Sequence, residues 1–360
     1  MLLYPVYALL FADAGLTTAQ ISSLFAVWSV VAFAFEVPSG ALADVWSRRG
    51  LHAVGAFLTA LGYALWIIWP AYPGFVLGFV LWGVGGACAS GTLEAMVYDK
   101  APDDYARVTG RAGTAGLLAM LAATLLAAPV YAVGGYRAVG IISVATVTLG
   151  GLLALRLPAD PGGTRATADN RSEDGYLSTL RAGLRESVKG RSTAWAVAIA
   201  AAVPALTALD EYLPLLTRDK GAPTSAVPLL FGLTALAMAA GSALAGRFPV
   251  GPRPLAAILA VAAALLAAGA LTPSLFGMVA VSAAFGIVQF TMILVETRLQ
   301  EAITGPARTT VLSVSGFLSE ILAVALYALF ALDLPLTELF ALSALPLALT
   351  ALATARRNST

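Results

Sequence analysis

The hydrophobic positions of this chain come in long uninterrupted runs, and the charged positions are collected between them. The run ISSLFAVWSVVAFAF at 21–35, for example, contains no charged side chain and is followed by the polar stretch EVPSGALADVWSRRG. A bilayer core of about 30 Å is crossed by about 20 residues of α-helix, and runs near that length recur along the whole sequence. This pattern predicts an all-α, polytopic membrane protein.

Twelve such runs are treated as predicted membrane spans. They lie near residues 2–13, 19–43, 51–70, 74–98, 107–132, 137–157, 193–217, 226–246, 254–271, 274–299, 309–331 and 335–355. At about 1.5 Å per residue, the first segment crosses little more than half of the hydrocarbon. We expect either a missing N-terminal stretch, which we favour, or an incomplete first helix.

The polar segment 158–192 separates six predicted spans from the other six. Its first part, LPADPGGTRATADNRSEDG, has the Pro, Gly and Ser/Thr content of a linker. Its second part, YLSTLRAGLRESVKG, predicts an amphipathic helix that lies either on the membrane surface or within a solvated linker. The same order of side chains begins at the ends of spans four and ten, which indicates a duplication: Glu94, Pro102, Arg107 and Glu296, Pro306, Arg308. We therefore predict an N-terminal six-helix bundle at 1–157 and a C-terminal one at 193–360.

Composition and charge support a membrane location and give an orientation. Soluble domains are about 45–50% apolar and about 25% charged, whereas this 360-residue chain is 59% hydrophobic and 11% charged, with a mean hydropathy of +0.85. With both termini cytoplasmic, only Arg137, Arg218 and Lys220 of the 21 Lys and Arg residues fall on the outer side. Because basic residues concentrate on the cytoplasmic side, we predict a multi-pass protein of the inner (plasma) membrane with cytoplasmic termini.

The chain offers little material for catalysis or for cofactor binding. It has one cysteine, Cys88, and one histidine, His52, so that neither a disulfide framework nor a cysteine-rich metal cluster can form within it. The glycine run GVGGACASG lacks the lysine of a phosphate-binding loop and lies inside a predicted span, so ATP is not the expected energy source. Close helix packing explains such glycines better. We expect no cofactor and no enzymatic activity.

The loop between spans two and three carries a motif. Its sequence GALADVWSRRG resembles the signature of the major facilitator superfamily (MFS), with matches at Gly40, Leu42, Ala43, Asp44, Arg48 and Arg49. It departs from that signature at Val45 and Ser47. The resemblance covers essentially the whole chain and implies two six-helix bundles and secondary transport by alternating access. The stretches EVPSGALAD and SGTLEAMVYD resemble those of bacterial members that export drugs or metabolites.

The resemblance also implies that this loop holds the inner gate closed. Arg48 and Arg49 have an obvious anionic partner in Asp99, and the start of span eleven offers free backbone amides to Asp44. The predicted gating residues are Gly40, Asp44, Arg48, Arg49, Asp99, Arg107 and Arg111. In the alternative interpretation these charges only set the topology.

Acidic residues inside the spans are costly, about 2.5 to 3.5 kcal/mol for Asp at a helix centre, and are therefore candidates for coupling. Glu320 lies about 18 Å along its helix from Arg308, near the bilayer centre, and is the best proton-carrier candidate. Asp210 and Glu211 in span seven can bind a proton or cation, or face an outer vestibule, and Pro204 and Pro214 can bend that span. Glu36 is a weaker candidate that, like Glu94, can pair with Arg107 or Arg111.

The remaining polar and aromatic residues of the spans are candidates for substrate contact. They are Gln289, Phe25, Trp28, Trp82, Tyr212 and Phe290. The aromatic ones can equally pack within the bundle or face lipid. We predict a monomer that exports small apolar or cationic compounds, with the proton as coupling ion, in a lipid bilayer and without nucleic acid. A metabolite importer of the same fold and, in another class, a polytopic enzyme or sensor are the alternatives.

Overall fold

The computed structural model describes residues 1–157, 191–245, 247, 250–303 and 308–357. All regular elements in these ranges are helices, and none of these residues is in a β-strand. The predicted all-α class is confirmed. The linker and the predicted amphipathic helix at 176–190 lie outside the described residues.

The N-terminal half is built from six α-helices. They are α1 (Tyr7–Asp13), α2 (Thr18–Val45), α3 (Arg48–Ile68), α4 (Tyr72–Ala89), α5 (Thr92–Lys100) and α6 (Tyr105–Ala154), with 3₁₀ turns at Tyr4–Val6 and Pro102–Asp104. Thr17 begins α2 with a capping box, because its hydroxyl accepts from the Gln20 amide at 3.2 Å and its own amide donates to the Gln20 side chain at 3.0 Å. Ser47 caps α3 by accepting from the Gly50 amide at 3.2 Å.

Helix α6 contains two of the predicted spans. Its 50 residues correspond to about 75 Å of helix, which is more than twice the hydrocarbon thickness. The backbone leaves the helical region at Gly135, where φ is +57°, a conformation that glycine adopts without a steric penalty. The break falls between the predicted spans 107–132 and 137–157.

Over the described residues from 191 onward, the C-terminal half has eight α-helices. They are α7 (Arg191–Ala205), α8 (Leu213–Asp219), α9 (Val227–Ala245), α10 (Pro252–Leu271), α11 (Gly277–Ala302), α12 (Arg308–Phe330), α13 (Leu336–Leu342) and α14 (Ala344–Arg357). A 3₁₀ segment, Leu206–Tyr212, joins α7 to α8. Pro204 in α7 and Pro214 in the first turn of α8 flank this segment, so span seven is interrupted where its prolines predict.

Ten helical segments of the described chain are long and apolar enough to cross a membrane. One of them, Arg107–Ala154, is the double-length segment broken at Gly135. The short segment Tyr4–Asp13 accounts for the remaining predicted span. Each of the twelve predicted spans therefore corresponds to a described helix or to an interrupted pair of helices.

The chain forms two compact units, each described here by itself. The N-terminal unit is Met1–Asp169 with Thr224–Leu229, and the C-terminal unit is Asn170–Pro223 with Leu230–Thr360. In the N-terminal unit α3 packs against α4 and α6, and α2 packs against α4. In the C-terminal unit α10 packs against α11 and α14, and α7 packs against α11 and α12.

Glycines allow close helix contacts in both units. A Cβ atom at Gly62 would come within 2.6 Å of the Gly78 carbonyl oxygen, between α3 and α4. A Cβ atom at Gly286 would lie 2.7 Å from the Ala237 carbonyl oxygen, between α11 and α9. These distances leave no room for a side chain, so the glycines allow the backbones to approach as in other membrane helix pairs.

Candidate functional site

The two arginines of the loop motif tie the start of α3 to the ends of two other helices. The Arg48 guanidinium donates to the Asp99 carboxylate at 2.6 Å, and the two side chains are 22% and 34% exposed. Arg49 donates to the carbonyl oxygen of Leu157, just beyond α6, at 3.0 Å. Asp99 lies in the last turn of α5. The pairing of Arg48 with Asp99 that the sequence suggested is thus present.

The other predicted gating residues are less connected in the described structure. Gly40 is exposed in α2, and no described atom lies within 4 Å of a Cβ placed there, so close helix approach does not explain it. Arg107 donates to Asp104 at 2.7 Å within one helical turn, with exposed fractions of 60% and 52%. Arg111 is exposed. Asp44 lies in the last turn of α2, but its side chain and the predicted partner segment 304–307 lie outside the described residues.

A polar network surrounds a break in predicted span four. The helix is interrupted at Ser90 and at Gly91, which has a φ of +65°. The Ser90 hydroxyl donates to the Glu36 carboxylate of α2 at 2.8 Å. The His52 ring of α3 lies 2.9 Å from the Thr92 hydroxyl, which donates to the Ala89 carbonyl oxygen. The described partner of Glu36 is therefore a serine at this break, whereas the sequence suggested an arginine.

The predicted coupling acids of the C-terminal unit lie on two elements that pack against each other. The Tyr327 side chain in α12 is 4% exposed and lies within electrostatic reach of Glu211, Asp210 and Glu320. Asp210 and Glu211 are half-buried in the 3₁₀ segment that interrupts span seven. Glu320 is exposed on α12, about 18 Å from its start and about 15 Å from its end. The 3₁₀ segment that carries Asp210 and Glu211 packs against α12, which carries Glu320 and Tyr327, and the Tyr212 and Tyr327 rings lie 6.3 Å apart between centroids.

The predicted substrate contacts fall into two groups. Phe25 and Tyr212 are almost fully buried; Phe25 lies 6.0 Å from Tyr7 between ring centroids, and Tyr212 is stacked on Phe330 at 4.0 Å. Their described role is packing. The half-buried residues are Trp28, Trp82, Gln289 and Phe290, which leaves part of each side chain accessible. Contact of any of these residues with substrate stays a prediction.

Several polar residues of these sites were not singled out from the sequence. Tyr327 lies two turns beyond Glu320, so the helical period alone could have drawn attention to it. Ser90 and Thr92 flank Gly91 in an otherwise apolar run. In the sequence, a glycine that breaks a helix cannot be distinguished from one that allows close helix packing. Tyr7 in α1 belongs to a dense aromatic cluster with Trp66 and Phe79, which only the folded chain brings together. Among the described residues, no group of three or more His, Cys, Asp or Glu could hold a metal ion.

Apolar helices of membrane-spanning length, with charged contacts collected at their ends, define this chain as a multi-pass helical membrane protein. The family model described as Major Facilitator Superfamily matches residues 1–327. The chain belongs to this superfamily and has its transporter fold.

One relative is similar in sequence, the "Uncharacterized 38 kDa protein in 23S RNA operon" of Thermoproteus tenax. It is 30% identical over 247 residues, which cover 63% of this chain. The chain spans 64% of the length of that relative.

Solved structures support the fold over nearly the full chain. The nucleoside transporter NupG matches with a TM-score of 0.78, at 13% identity, over 99% of this chain and 95% of that one. A bacterial homologue of the iron transporter ferroportin, in the inward-facing state, matches with a TM-score of 0.70 at 15% identity, over 100% and 97%. A bacterial homologue of the lysosomal transporter Spinster matches with a TM-score of 0.67 at 17% identity, over 99% and 90%. At these identities the likeness shows the fold alone.

Proposed function

We propose that this chain is a proton-coupled secondary transporter that exports small, apolar, neutral or cationic compounds by alternating access. The observation that carries the proposal is the packing of the 3₁₀ segment that holds Asp210 and Glu211 against α12, which holds Glu320 and the buried Tyr327. The family gives the transport fold, and these acids supply the chemistry for coupling it to an ion gradient.

The position of the acids favours a coupling role over a structural one. Ionised carboxylates within the hydrocarbon depth are unfavourable, and several of them close together repel each other. Uptake of a proton by Glu320 removes one of these charges, and release restores it. Interrupted helices are where transporters of other folds place their ion and substrate sites, and Asp210 and Glu211 lie on such an interruption.

The loop motif supplies the gate in this proposal. The Arg48–Asp99 ion pair and the Arg49–Leu157 hydrogen bond fasten the start of α3 to α5 and to the end of α6. Such contacts keep these helix ends of the N-terminal unit together while the transporter alternates between its inward-facing and outward-facing states. We place this face in the cytoplasm of a plasma membrane, with a monomer as the transporting unit, because the basic residues collect on this side.

The test uses purified protein in proteoliposomes with a pH-sensitive dye inside. A panel of neutral and cationic compounds is added with an imposed pH gradient and no ATP, and protein-free liposomes serve as the control. We expect some compounds to produce protein-dependent proton movement opposite to their own. Movement of the proton in the same direction as the compound would replace export with import. A requirement for ATP would contradict the proposal.

A further inference from the structure

An aromatic cluster in the N-terminal unit has the features of a ligand site. The Tyr7 ring lies within 5.4 to 6.2 Å of six other rings, measured between centroids. Trp82 is 6.2 Å from Tyr7 and 5.5 Å from Trp28, so it adjoins both. Trp28 and Trp82 are each ten residues from the start of their helices, Thr18 and Tyr72. That distance is about 15 Å, close to half of a bilayer core.

Two hydrogen-bond donors of this cluster have no partner within the described chain. They are the Tyr7 hydroxyl, on a side chain that is 2% exposed, and the Trp28 indole N–H, and both atoms are shielded from solvent. Neighbouring donors in the same cluster do have partners. The Tyr63 hydroxyl donates to the Met1 sulfur at 2.7 Å, and the Trp66 indole donates to the Phe75 carbonyl oxygen at 3.2 Å.

Buried donors without an acceptor are rare, because each one loses its hydrogen bonds to water without replacing them. Here two of them adjoin one half-buried ring, Trp82, at mid-membrane depth. A ligand that brings acceptor atoms to Tyr7 and Trp28 would satisfy both. The faces of the surrounding rings favour a flat aromatic partner, since offset stacking adds to the burial of its surface.

We propose that Tyr7 and Trp28 recognise a planar, neutral heteroaromatic compound through its hydrogen-bond acceptors, with Trp82 as the stacking surface. This inference rests on the proposed transport function and names the substrate class of its binding site. Because both donor atoms are shielded, access requires the half-buried ring of Trp28 or Trp82 to turn aside. The unliganded site is therefore closed, and binding opens it.

The probe is radiolabelled caffeine, which is planar, neutral and soluble and has acceptors but no N–H or O–H donors. Binding is measured on the purified, detergent-solubilised full chain, with tetraphenylphosphonium, which is not planar and has no acceptor, as the comparison compound. Tyr7→Phe and Trp28→Phe keep an aromatic ring and remove the donor. Tyr63→Phe is the matched control, because it removes a hydroxyl of the same cluster that already has a partner.

We expect saturable caffeine binding that weakens about threefold to tenfold in each donor variant, the range for loss of one hydrogen bond. Tyr63→Phe and the binding of tetraphenylphosphonium should change less than twofold. Thermal melting should show that Tyr7→Phe is folded and at least as stable as the parent, because it removes a buried hydroxyl without a partner.

Two outcomes would overturn the inference. One is that caffeine does not bind saturably below about 10 mM, a concentration at which even a weak pocket is occupied. The other is that it binds the parent and both donor variants equally. These failures can be distinguished from failure of the transport proposal. If the protein transports other compounds in exchange for protons but does not bind caffeine, the transport function stands and this binding site does not. Caffeine binding that depends on Tyr7 and Trp28, in a protein for which no transport is found, would support the binding site and contradict the proposed transport function.

Discussion

At the scale of single residues, the Arg48–Asp99 ion pair is the contact to which we assign a role in gating. Both side chains are partly exposed, and exposed pairs contribute about 0–1 kcal/mol to stability. If the pair has only a structural role, its removal should therefore have little effect on stability or on transport. A role in gating would make it important for transport while leaving stability almost unchanged.

Asp99→Asn should lower the transport rate at least tenfold and change the melting temperature by less than about 3 °C, because a loss below 1 kcal/mol shifts it little. The measurement is uptake into proteoliposomes alongside a thermal melt. Asp103→Asn is the matched control, since Asp103 is an exposed acid four residues away that belongs to none of the predicted sites. Transport recovery in the exchanged pair Arg48→Asp with Asp99→Arg would support the contact. Full activity of Asp99→Asn would contradict it.

Lys220 illustrates a buried charge with a structural task. Its ammonium donates to the carbonyl oxygens of Ala270 and Thr272 at 2.7 and 2.5 Å, at the end of α10. These contacts satisfy carbonyl groups at a helix C-terminus, which has no internal donors left. Burial lowers the pKa of Lys220, and Asp219 acts in the opposite direction.

Lys220→Met should lower the free energy of unfolding by about 1.5–3 kcal/mol per lost charge-assisted hydrogen bond, measured by thermal melting in detergent. Arg247→Met, at an exposed position, is the control and should have little effect.

The lowered pKa of Lys220 also predicts a pH dependence of stability. At pH values between the folded and the unfolded pKa of Lys220, the unfolded chain binds more protons than the folded chain. The free energy of unfolding therefore rises with pH in that range. The measurement compares the stability of the parent protein with that of Lys220→Met across this alkaline pH range. A decrease in the parent relative to the variant would contradict this account.

At the scale of elements, interruptions of helices were predictable to different degrees. Pro204 and Pro214 predicted the bend of span seven, because proline removes a backbone donor and crowds the preceding turn. The break of span four at Gly91 was not predicted. In the sequence Gly91 resembles Gly85 and Gly86, and only the folded backbone separates a glycine at positive φ from a glycine used for packing.

Gly91→Ala should destabilise the protein by about 1–2 kcal/mol, because its φ of +65° is unfavourable for a residue with a Cβ atom. Gly86→Ala is the matched control five residues away, with no described atom within 4 Å of the added carbon, and it should be neutral or stabilising by about 1 kcal/mol. Thermal melts of both variants provide the comparison. Equal melting temperatures would mean that the break at Gly91 is not required by the fold.

At the scale of the whole molecule, hydrophobic patterning predicted most of the fold, since a membrane span must satisfy its own backbone hydrogen bonds and must therefore be a helix. The loop motif suggested the family and the Arg48–Asp99 contact. Contacts between distant side chains were harder to predict: Glu36 accepts a hydrogen bond from Ser90 of another helix, whereas the sequence suggested an arginine, because spacing along the chain does not show which side chains of different helices meet. The substrate does not follow from the fold, which hosts many solutes.

The central claim is that transport is coupled to protons through Glu320 and the acids near Tyr327. It is tested most directly by comparing two modes of transport in Glu320→Gln proteoliposomes, using a compound that the parent protein transports. Counterflow exchange needs alternating access but no net proton movement, whereas accumulation driven by a pH gradient needs both. The account predicts that Glu320→Gln retains counterflow and loses gradient-driven accumulation. Retention of gradient-driven accumulation at the parent level would contradict it.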